Sequence, residues 1–417
     1  MDKDVLIVGA GVVGLSTAYY AALRGCRVTV LERGAAEDEG CSFGNAGMVV
    51  PSHFVPLAAP GVVAQGLRWM WDPESPFYLR PRPSLDLLRW GWRFWRSANA
   101  GHVARSAPLL RDMHLASRTC FEELAALWGN DFGLVRNGLL MLCKTERGLE
   151  DEARTAEQAR ALGIPAEVQT PRQSAALEPN VRMDVAGSVY YPLDCHLVPQ
   201  RFMAAAKRAL NEAGVRFLWE TRVVGWRVDG RRIDAVRTTR GDLSAQEYAL
   251  CAGIWTTSVA HDLGLTIPMQ AGKGYSLTIP NPPRLPGLCA ILSEARVAVT
   301  PMGSALRFGG TLELTGIDLR VDPARVKGIV RAVPRYFPEF APDDFRDLPA
   351  WCGLRPCSPD GLPYLGRVAR YANLCVATGH AMMGMSLGPI SGKLVAEIVS
   401  GEGPSLDIGA LSPDRYS

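Results

Sequence analysis

Val5-Leu-Ile-Val-Gly-Ala-Gly-Val-Val-Gly14, followed by Arg27-Val-Thr-Val-Leu-Glu32, is the stretch whose reading decides the fold. The apolar run from Val5 reads as a buried parallel strand. Val13 to Arg24 reads as a helix, Gly25 as its stop, and Val28 to Leu31 as a second strand. Gly9 then makes the tight turn, Gly11 lets backbone approach a pyrophosphate, and Gly14 lets helix pack on strand. Val12 and Val13 stand at the helix N-terminus, where free N–H groups and the dipole favour an anion. Glu32 falls about 20 residues past the turn, where it accepts hydrogen bonds from a ribose diol and disfavours a 2′-phosphate. A lone G-x-G-x-x-G is weak. Here strand, helix, second strand and terminal acid are all present, so a dinucleotide site is favoured over a chance glycine turn.

Working outward, 417 residues suggest about two to three domains. With 47% hydrophobic and 21% charged residues the chain is globular, with a large core. A net charge of +3 and the lack of a lysine-rich run give no argument for nucleic acid. The acids Asp2 and Asp4 and the glycine spacing argue against a signal peptide. Tyr371 to Gly392 is too rich in Gly, Ser, Thr and Asn for a membrane span. The ten cysteines are scattered. Cys352 and Cys357 form a single C-x4-C, so no metal site is expected, and a reducing, cytoplasmic setting fits.

Helices are expected over Ser106 to Trp128, Arg147 to Leu162, Pro199 to Ala213, Pro323 to Phe337 and Gly388 to Ser400. Leu139 to Cys143, Val215 to Leu218 and Leu374 to Ala377 read as strands. Val223 to Val228, Arg232 to Thr238 and Asp242 to Leu250 form a meander, with turns at Asp229-Gly230 and Arg240-Gly241. A second strand block runs from Ile267 to Leu314. A nucleotide motif at one end and a glycine-rich strand–turn–helix at the other imply a discontinuous nucleotide domain. The expected division is 1–60, 185–265 and 345–417 for that domain, and 61–184 and 266–344 for a substrate domain.

With these segments placed, the sequence resembles the D-amino-acid oxidase/glycine oxidase superfamily of flavoproteins. It is most similar there to bacterial FAD-dependent D-amino-acid dehydrogenases and the 4-hydroxy-D-proline dehydrogenases close to them. The markers are Gly9 to Gly14 with Glu32; Ser42-Phe-Gly-Asn-Ala-Gly-Met48; Leu57-Ala-Ala-Pro-Gly61; Gly272-Lys-Gly-Tyr-Ser-Leu277; Gly353-Leu-Arg-Pro356 with Pro359-Asp-Gly361; and Thr378-Gly-His380 with Gly384. The resemblance implies an α/β and α+β protein: a Rossmann-like FAD domain of the glutathione-reductase type with an antiparallel-sheet substrate domain. It implies FAD rather than NAD. Glu32 and Arg33 would meet the adenosine ribose, with Val223 near the adenine. Ser42, Asn45, Ala46, Gly47 and Met48 would lie along the pyrophosphate and flavin. Ala252, Gly253 and Trp255 would line the cofactor, and Gly379, Gly384, Met385 and Ser386 would approach the flavin ring. Arg355, beside Gly353, would hold the substrate carboxylate, and Tyr275 is a candidate for the substrate pocket.

The activity so implied is oxidation of a small D-amino acid by hydride transfer from Cα to flavin N5, with D-proline and cis-4-hydroxy-D-proline as options. Electrons would pass to a quinone or another carrier. The alternative is an oxygen-using glycine, sarcosine or D-amino-acid oxidase. Such chemistry asks the protein chiefly for orientation and electrostatics. A fixed guanidinium takes a carboxylate in a bidentate fork, which suits Arg355; the plainer reading is an ordinary salt bridge. His53, His196 and His380 are candidate bases because histidine titrates near neutrality, though packed or surface histidines are commoner. Tyr275 reads equally as a core tyrosine, and Asp360 as a turn former.

A tryptophan-rich, basic segment, 69–96, stands apart. It holds Trp69, Trp71, Trp90, Trp92 and Trp95, with Arg89, Arg93 and Arg96 on one helical face and Leu85, Leu88, Trp92 and Trp95 opposite. Packing of that apolar face on the substrate domain is favoured over peripheral contact with the inner face of a membrane.

Overall fold

The computed structural model describes residues 3–37, 40–70 and 74–417; Trp71 lies outside the described residues. The decisive stretch folds as expected. Strand Asp4–Val8 leads through helix Val12–Leu23 to strand Arg27–Leu31. The two strands run parallel, Val5 opposite Val28 and Val8 opposite Leu31. Gly25, at φ 77°, closes the helix in the left-handed conformation that glycine adopts without a Cβ penalty.

These strands centre a six-stranded sheet whose order is Tyr364–Arg367, Leu374–Thr378, Glu247–Leu250, Asp4–Val8, Arg27–Leu31, Arg216–Leu218. All neighbours are parallel except the first pair. One face carries the first helix with Ala100–Leu127, Pro199–Glu212 and Gly384–Ser400, where Leu15, Phe121, Phe202 and Leu394 share a core. The other face packs on a three-stranded antiparallel sheet through Leu6, Trp226, Ile233 and Tyr248.

Expected boundaries shift at three places, each for a local reason. The last helix starts at Gly384, one turn before Gly388. Its glycines face the first helix: a Cβ on Gly388 would lie 2.6 Å from Val12, and one on Gly392 2.4 Å from Ser16. Helix Ala100–Leu127 starts before Ser106 because Asn99 Oδ1 caps it, accepting from the His102 N–H at 2.9 Å. The single strand expected over Asp242 to Leu250 is two. Gly241–Leu243 completes the three-stranded sheet, and Glu247–Leu250 enters the six-stranded one. Between them the Asp4 N–H donates to Gln246 Oε1 and the Ala245 N–H to the Tyr248 hydroxyl, which turns the chain from one layer to the next.

A nine-stranded sheet forms the second layer system, in the order Trp351–Cys357, Gln270–Ile279, Ala305–Leu314, Val297–Met302, Cys289–Leu292, Leu139–Cys143, Gly187–Tyr191, Glu167–Gln169, with Phe77–Leu79 beside Ala305–Leu314. It is antiparallel except where Leu139–Cys143 meets Cys289–Leu292 and where Phe77–Leu79 joins. Helix Pro323–Tyr336 covers it through Ile329 and Val333, against Leu277 and Phe308. Two of its strands, 187–191 and 351–357, lie beyond the sequence-based boundaries at 184/185 and 344/345.

Helix Leu85–Ser97 packs by a different stripe from the one expected. Leu87 and Trp90 are buried, with Phe94 stacked on Trp90 at 5.0 Å. Leu85, Leu88, Trp92 and Trp95 are exposed instead. Among the described residues no helix is long and apolar enough to cross a membrane.

Candidate active site

A cleft of about 1960 Å³ joins the two sheets, running from the first glycine turn to the arginine strand Trp351–Cys357. Its nucleotide half is built by backbone. Gly9 stands at φ 108°, and a Cβ there would meet the Cys251 carbonyl at 2.5 Å. A Cβ on Gly14 would lie 1.9 Å from the Gly9 oxygen, so only glycine lets the helix sit this close to the turn. A Cβ on Gly11 would meet nothing nearer than Ser42 Oγ at 3.7 Å, which leaves that backbone open to the cleft. Ser42 Oγ accepts from the Val12 N–H at 3.1 Å. Glu32 is fixed at both oxygens, by the Ala10 N–H at 2.8 Å and the Gly34 N–H at 3.1 Å. The Arg33 guanidinium lies over the Trp255 ring at 3.5 Å.

The segment from Ser42 to Met48 is pinned to the second sheet. Arg307 Nη1 donates to the carbonyls of Phe43 at 3.2 Å and Asn45 at 2.8 Å, and Asn45 Oδ1 accepts from the Gly47 N–H. Trp351 lies against both Gly44 and Gly353, where a Cβ would fall 2.0 and 2.1 Å from its ring.

Arg355 closes the far half. Its strand pairs with Gln270–Ile279, Arg355 opposite Gly272 and Gly353 opposite Gly274. The guanidinium lies over Gly274, where a Cβ would come 2.3 Å from Nη2. Nη1 donates to the Thr311 carbonyl at 2.5 Å. That carbonyl points there because Thr311 adopts φ 63°, at a bulge between the Tyr275–Gly310 and Lys273–Glu313 pairs. A β-branched residue in this region is strained by roughly 1–3 kcal/mol, and Thr311 Oγ1 has no partner among the described residues. No ion pair involving Arg355 occurs among the described residues. Burial pulls its basicity down, opposed only by the thiols of Cys41, Cys357 and Cys352. A cation held this way is costly until an anion arrives. All ten cysteines are free thiols.

Most of the expected site residues line the one cleft: Gly9, Gly11, Val12, Val13, Glu32, Arg33, Ser42, Asn45, Ala46, Met48, Val223, Ala252, Gly253, Trp255, Gly353, Arg355, Gly384 and Met385. Gly14, Gly47, Gly379 and Ser386 stand behind its wall. Gly47 and Gly379 take φ 73° and 79°. Ser386 Oγ accepts from the Val50 N–H and pairs with His114 Nδ1. Tyr275 borders the cleft, but its ring is 1% exposed and packs under helix Pro323–Tyr336. Its hydroxyl accepts from the Asp322 N–H at 3.1 Å. Alternation along the strand turns Tyr275 away from the Gly274 face, so it is a core residue, not a neighbour of the guanidinium.

Burial depresses the candidate histidines: His53, His196 and His380 are each pushed down to about 4. His380 Nε2 is paired with Ser391 Oγ at 2.8 Å, and Asp360 is ion-paired with Arg415. The site also includes residues that sequence patterns did not single out. Thr311 and Trp351 carry no motif, and Gly274 was seen only as part of a string.

The open Gly11 backbone, the helix N-terminus, the fixed Glu32 carboxylate and the length of the cleft fit FAD. The comparisons agree. The family model of DAO, FAD dependent oxidoreductase, matches residues 4–398. D-amino acid dehydrogenase from Granulibacter bethesdensis is 34% identical, over 99% of each chain. That from Agrobacterium fabrum is 32% identical, over 99% of this chain and 100% of its own. Glycine oxidase from Geobacillus kaustophilus superposes with a TM-score of 0.79 at 26% identity, over 100% of this chain and 99% of its own. The chain belongs to the DAO family of FAD-dependent oxidoreductases, alongside relatives named D-amino acid dehydrogenase. It is an enzyme of amino-acid oxidation, in the dehydrogenase and oxidase class.

Proposed function

We propose that the protein dehydrogenates a small D-amino acid, with D-proline and cis-4-hydroxy-D-proline among the candidate substrates, and passes the electrons to a quinone or another carrier. The observation that carries this reading is the Arg355 guanidinium, in the FAD cleft without an acid partner among the described residues. The substrate carboxylate supplies the missing anion, and a bidentate fork fixes the Cα relative to the cleft. FAD, when bound, supplies the two-electron sink. Glu32, Ser42 and the Gly9–Gly14 turn hold its nucleotide half; Ala46, Met48, Gly384 and Met385 border the rest. A primary amine gives an imino acid that water hydrolyses to a 2-oxo acid, and a cyclic amine gives a pyrroline carboxylate. In this reading the six-stranded sheet carries the cofactor and the nine-stranded sheet the substrate arginine.

Anaerobic titration of the holoenzyme with a panel of D- and L-amino acids, cyclic imino acids included, tests it. Flavin bleaching by D-enantiomers supports the reading, and bleaching by L-enantiomers alone refutes it. Rapid peroxide formation in air would move the enzyme to the oxidase alternative.

The setting proposed is cytoplasmic, with peripheral docking on the membrane. The exposed Leu85, Leu88, Trp92 and Trp95, flanked by Arg89, Arg93 and Arg96, support such docking. Sedimentation with anionic vesicles, lost in a Trp92→Ser/Trp95→Ser variant, is the expected result. Equal sedimentation of both would remove the proposal.

A further inference from the structure

A hydrogen-bonded chain leads out of the cleft into the core, and the arginine site does not use it. His53 is half-buried and borders the cleft. Its Nδ1 lies 3.0 Å from Ser52 Oγ. Ser52 is fastened twice to Asp194: its Oγ donates to Oδ2 at 2.5 Å, and its N–H to Oδ1 at 3.0 Å. Asp194 is fully buried at the end of the turn after Gly187–Tyr191. The segment carrying this chain is anchored near the arginine site at one end and near the last helix at the other. Ala46 lies against Gly309, two residues before Thr311, and the Val50 N–H binds Ser386 Oγ.

We propose that His53, Ser52 and Asp194 form a relay that accepts the proton a substrate ammonium must lose before its amine can be oxidised. The proposal rests on the amine-oxidising reading above. With Asp194 ionised, Ser52 donates to it and accepts from His53 Nδ1–H, which leaves a lone pair on Nε2 for the cleft. One proton then leaves the substrate nitrogen for Nε2, Nδ1 gives one to Ser52 Oγ, and Ser52 gives its own to Asp194. The sum is one proton moved from nitrogen to carboxylate, with no electron gained or lost. His53 touches the substrate; Ser52 and Asp194 act through it.

The charges around the chain divide the labour between passing and holding a proton. Burial, helped by Arg296 on the turn before Val297–Met302, makes His53 a poor resting place for charge, and His114, on Ala100–Leu127, faces it as well. Asp194 faces Ser52, Arg118, Tyr191, Cys195 and Cys289. Burial outweighs the Ser52 bonds and the Arg118 charge and lifts its carboxyl to about 7. A neutral imidazole that transmits and a buried carboxyl that stores follow from these surroundings. When Asp194 holds the proton, its O–H donates to Ser52, Ser52 donates to Nδ1, and Nε2 carries the hydrogen. The His53 tautomer therefore reports the Asp194 charge.

Two readouts test this. In the first, anaerobic flavin reduction by the faster of D-alanine and D-proline is followed against pH. The wild-type rate should rise with a group titrating near neutrality, and that dependence should vanish in Asp194→Asn and in Ser52→Ala. His53→Gln should slow reduction roughly 10²-fold or more, while D-lactate, which has no ammonium, perturbs the flavin spectrum with unchanged affinity. In the second, ¹⁵N-histidine NMR of the holoenzyme, with His53 assigned from His53→Gln, should show it changing tautomer across neutral pH, and holding one tautomer in Asp194→Asn. Ser52→Ala serves if Asp194→Asn does not fold. A wild-type pH profile in both relay variants, or a pH-independent His53 tautomer in the wild type, overturns the relay and leaves the amine-oxidising reading intact. If no amino acid bleaches the wild-type flavin, that broader reading fails, and the NMR result still decides whether the hydrogen-bonded chain carries a proton.

Discussion

The nucleotide turn and the arginine strand both depend on glycine, for different physical reasons. At Gly9 and Gly14 the obstacle to a side chain is backbone: the Cys251 carbonyl at 2.5 Å and the Gly9 oxygen at 1.9 Å. At Gly274 the obstacle is the far end of a flexible side chain, the Arg355 guanidinium at 2.3 Å. A backbone obstacle cannot yield without moving a helix or a strand. A guanidinium can swing away, at the cost of the position its function needs. Substitution at the first should therefore be felt in folding and cofactor retention, and at the second in substrate affinity.

The largest effect should come from Arg355→Ala. Removing one partner of a buried charge pair costs roughly 2–5 kcal/mol, about 30-fold to several thousand-fold in binding or turnover. Rapid-reaction kinetics should show that loss in flavin reduction, with FAD still bound. Loss of FAD instead would merge the two halves of the cleft into one structural unit. Gly14→Ala should follow, at roughly 1–3 kcal/mol of overpacking. Its thermal midpoint and the flavin content of the purified protein should both fall. Gly274→Ala comes next: about a tenfold rise in KM, or ~1.4 kcal/mol, with an unchanged thermal midpoint. A drop in stability matching that of Gly14→Ala would show that the two glycines meet the same kind of obstacle.

Acid should act on both halves at once, with the smallest effect near neutrality. His53, His196 and His380 are held near 4, and His114 at about 3. Each is depressed below the ordinary histidine value, so the unfolded chain binds protons that the native one refuses. Stability is then lost as pH falls from about 6.5 towards 4. Asp194, raised to about 7, works the other way and gains stability on acidification. Four groups against one leave a net loss of about 2 kcal/mol between pH 7.5 and 6. Thermal unfolding across that range measures it, and a midpoint that rises on acidification would contradict the assigned burial.

The same comparison explains what could be read from the chain. The first turn is a local motif, with glycines, strand, helix and acid close together in sequence, so each part constrains the next. Arg355 was legible only through resemblance, because its supports come from elsewhere: Gly274 from a neighbouring strand and the Thr311 carbonyl from a bulge. The strand string does not say which face of Gln270–Ile279 meets the cleft, and Tyr275 borders the cleft while its ring packs into the core under Pro323–Tyr336. The strand drawn over Asp242 to Leu250 runs through a change of sheet, which the sequence marks only by Gln246-Glu247 breaking the Leu243/Ala245 alternation before the continuous apolar run Tyr248 to Leu250. The exposed stripe on Leu85–Ser97 was identified as a stripe but assigned to the wrong side, because Leu87, Trp90 and Phe94 form a second apolar face of equal quality.

Thr311 sets a limit on how this enzyme can be improved. Glycine there would relax the left-handed backbone and raise the melting temperature, and stabilising screens would select it. The same relaxation frees the peptide whose oxygen steadies Arg355, so heat tolerance and catalytic efficiency should move in opposite directions at that position.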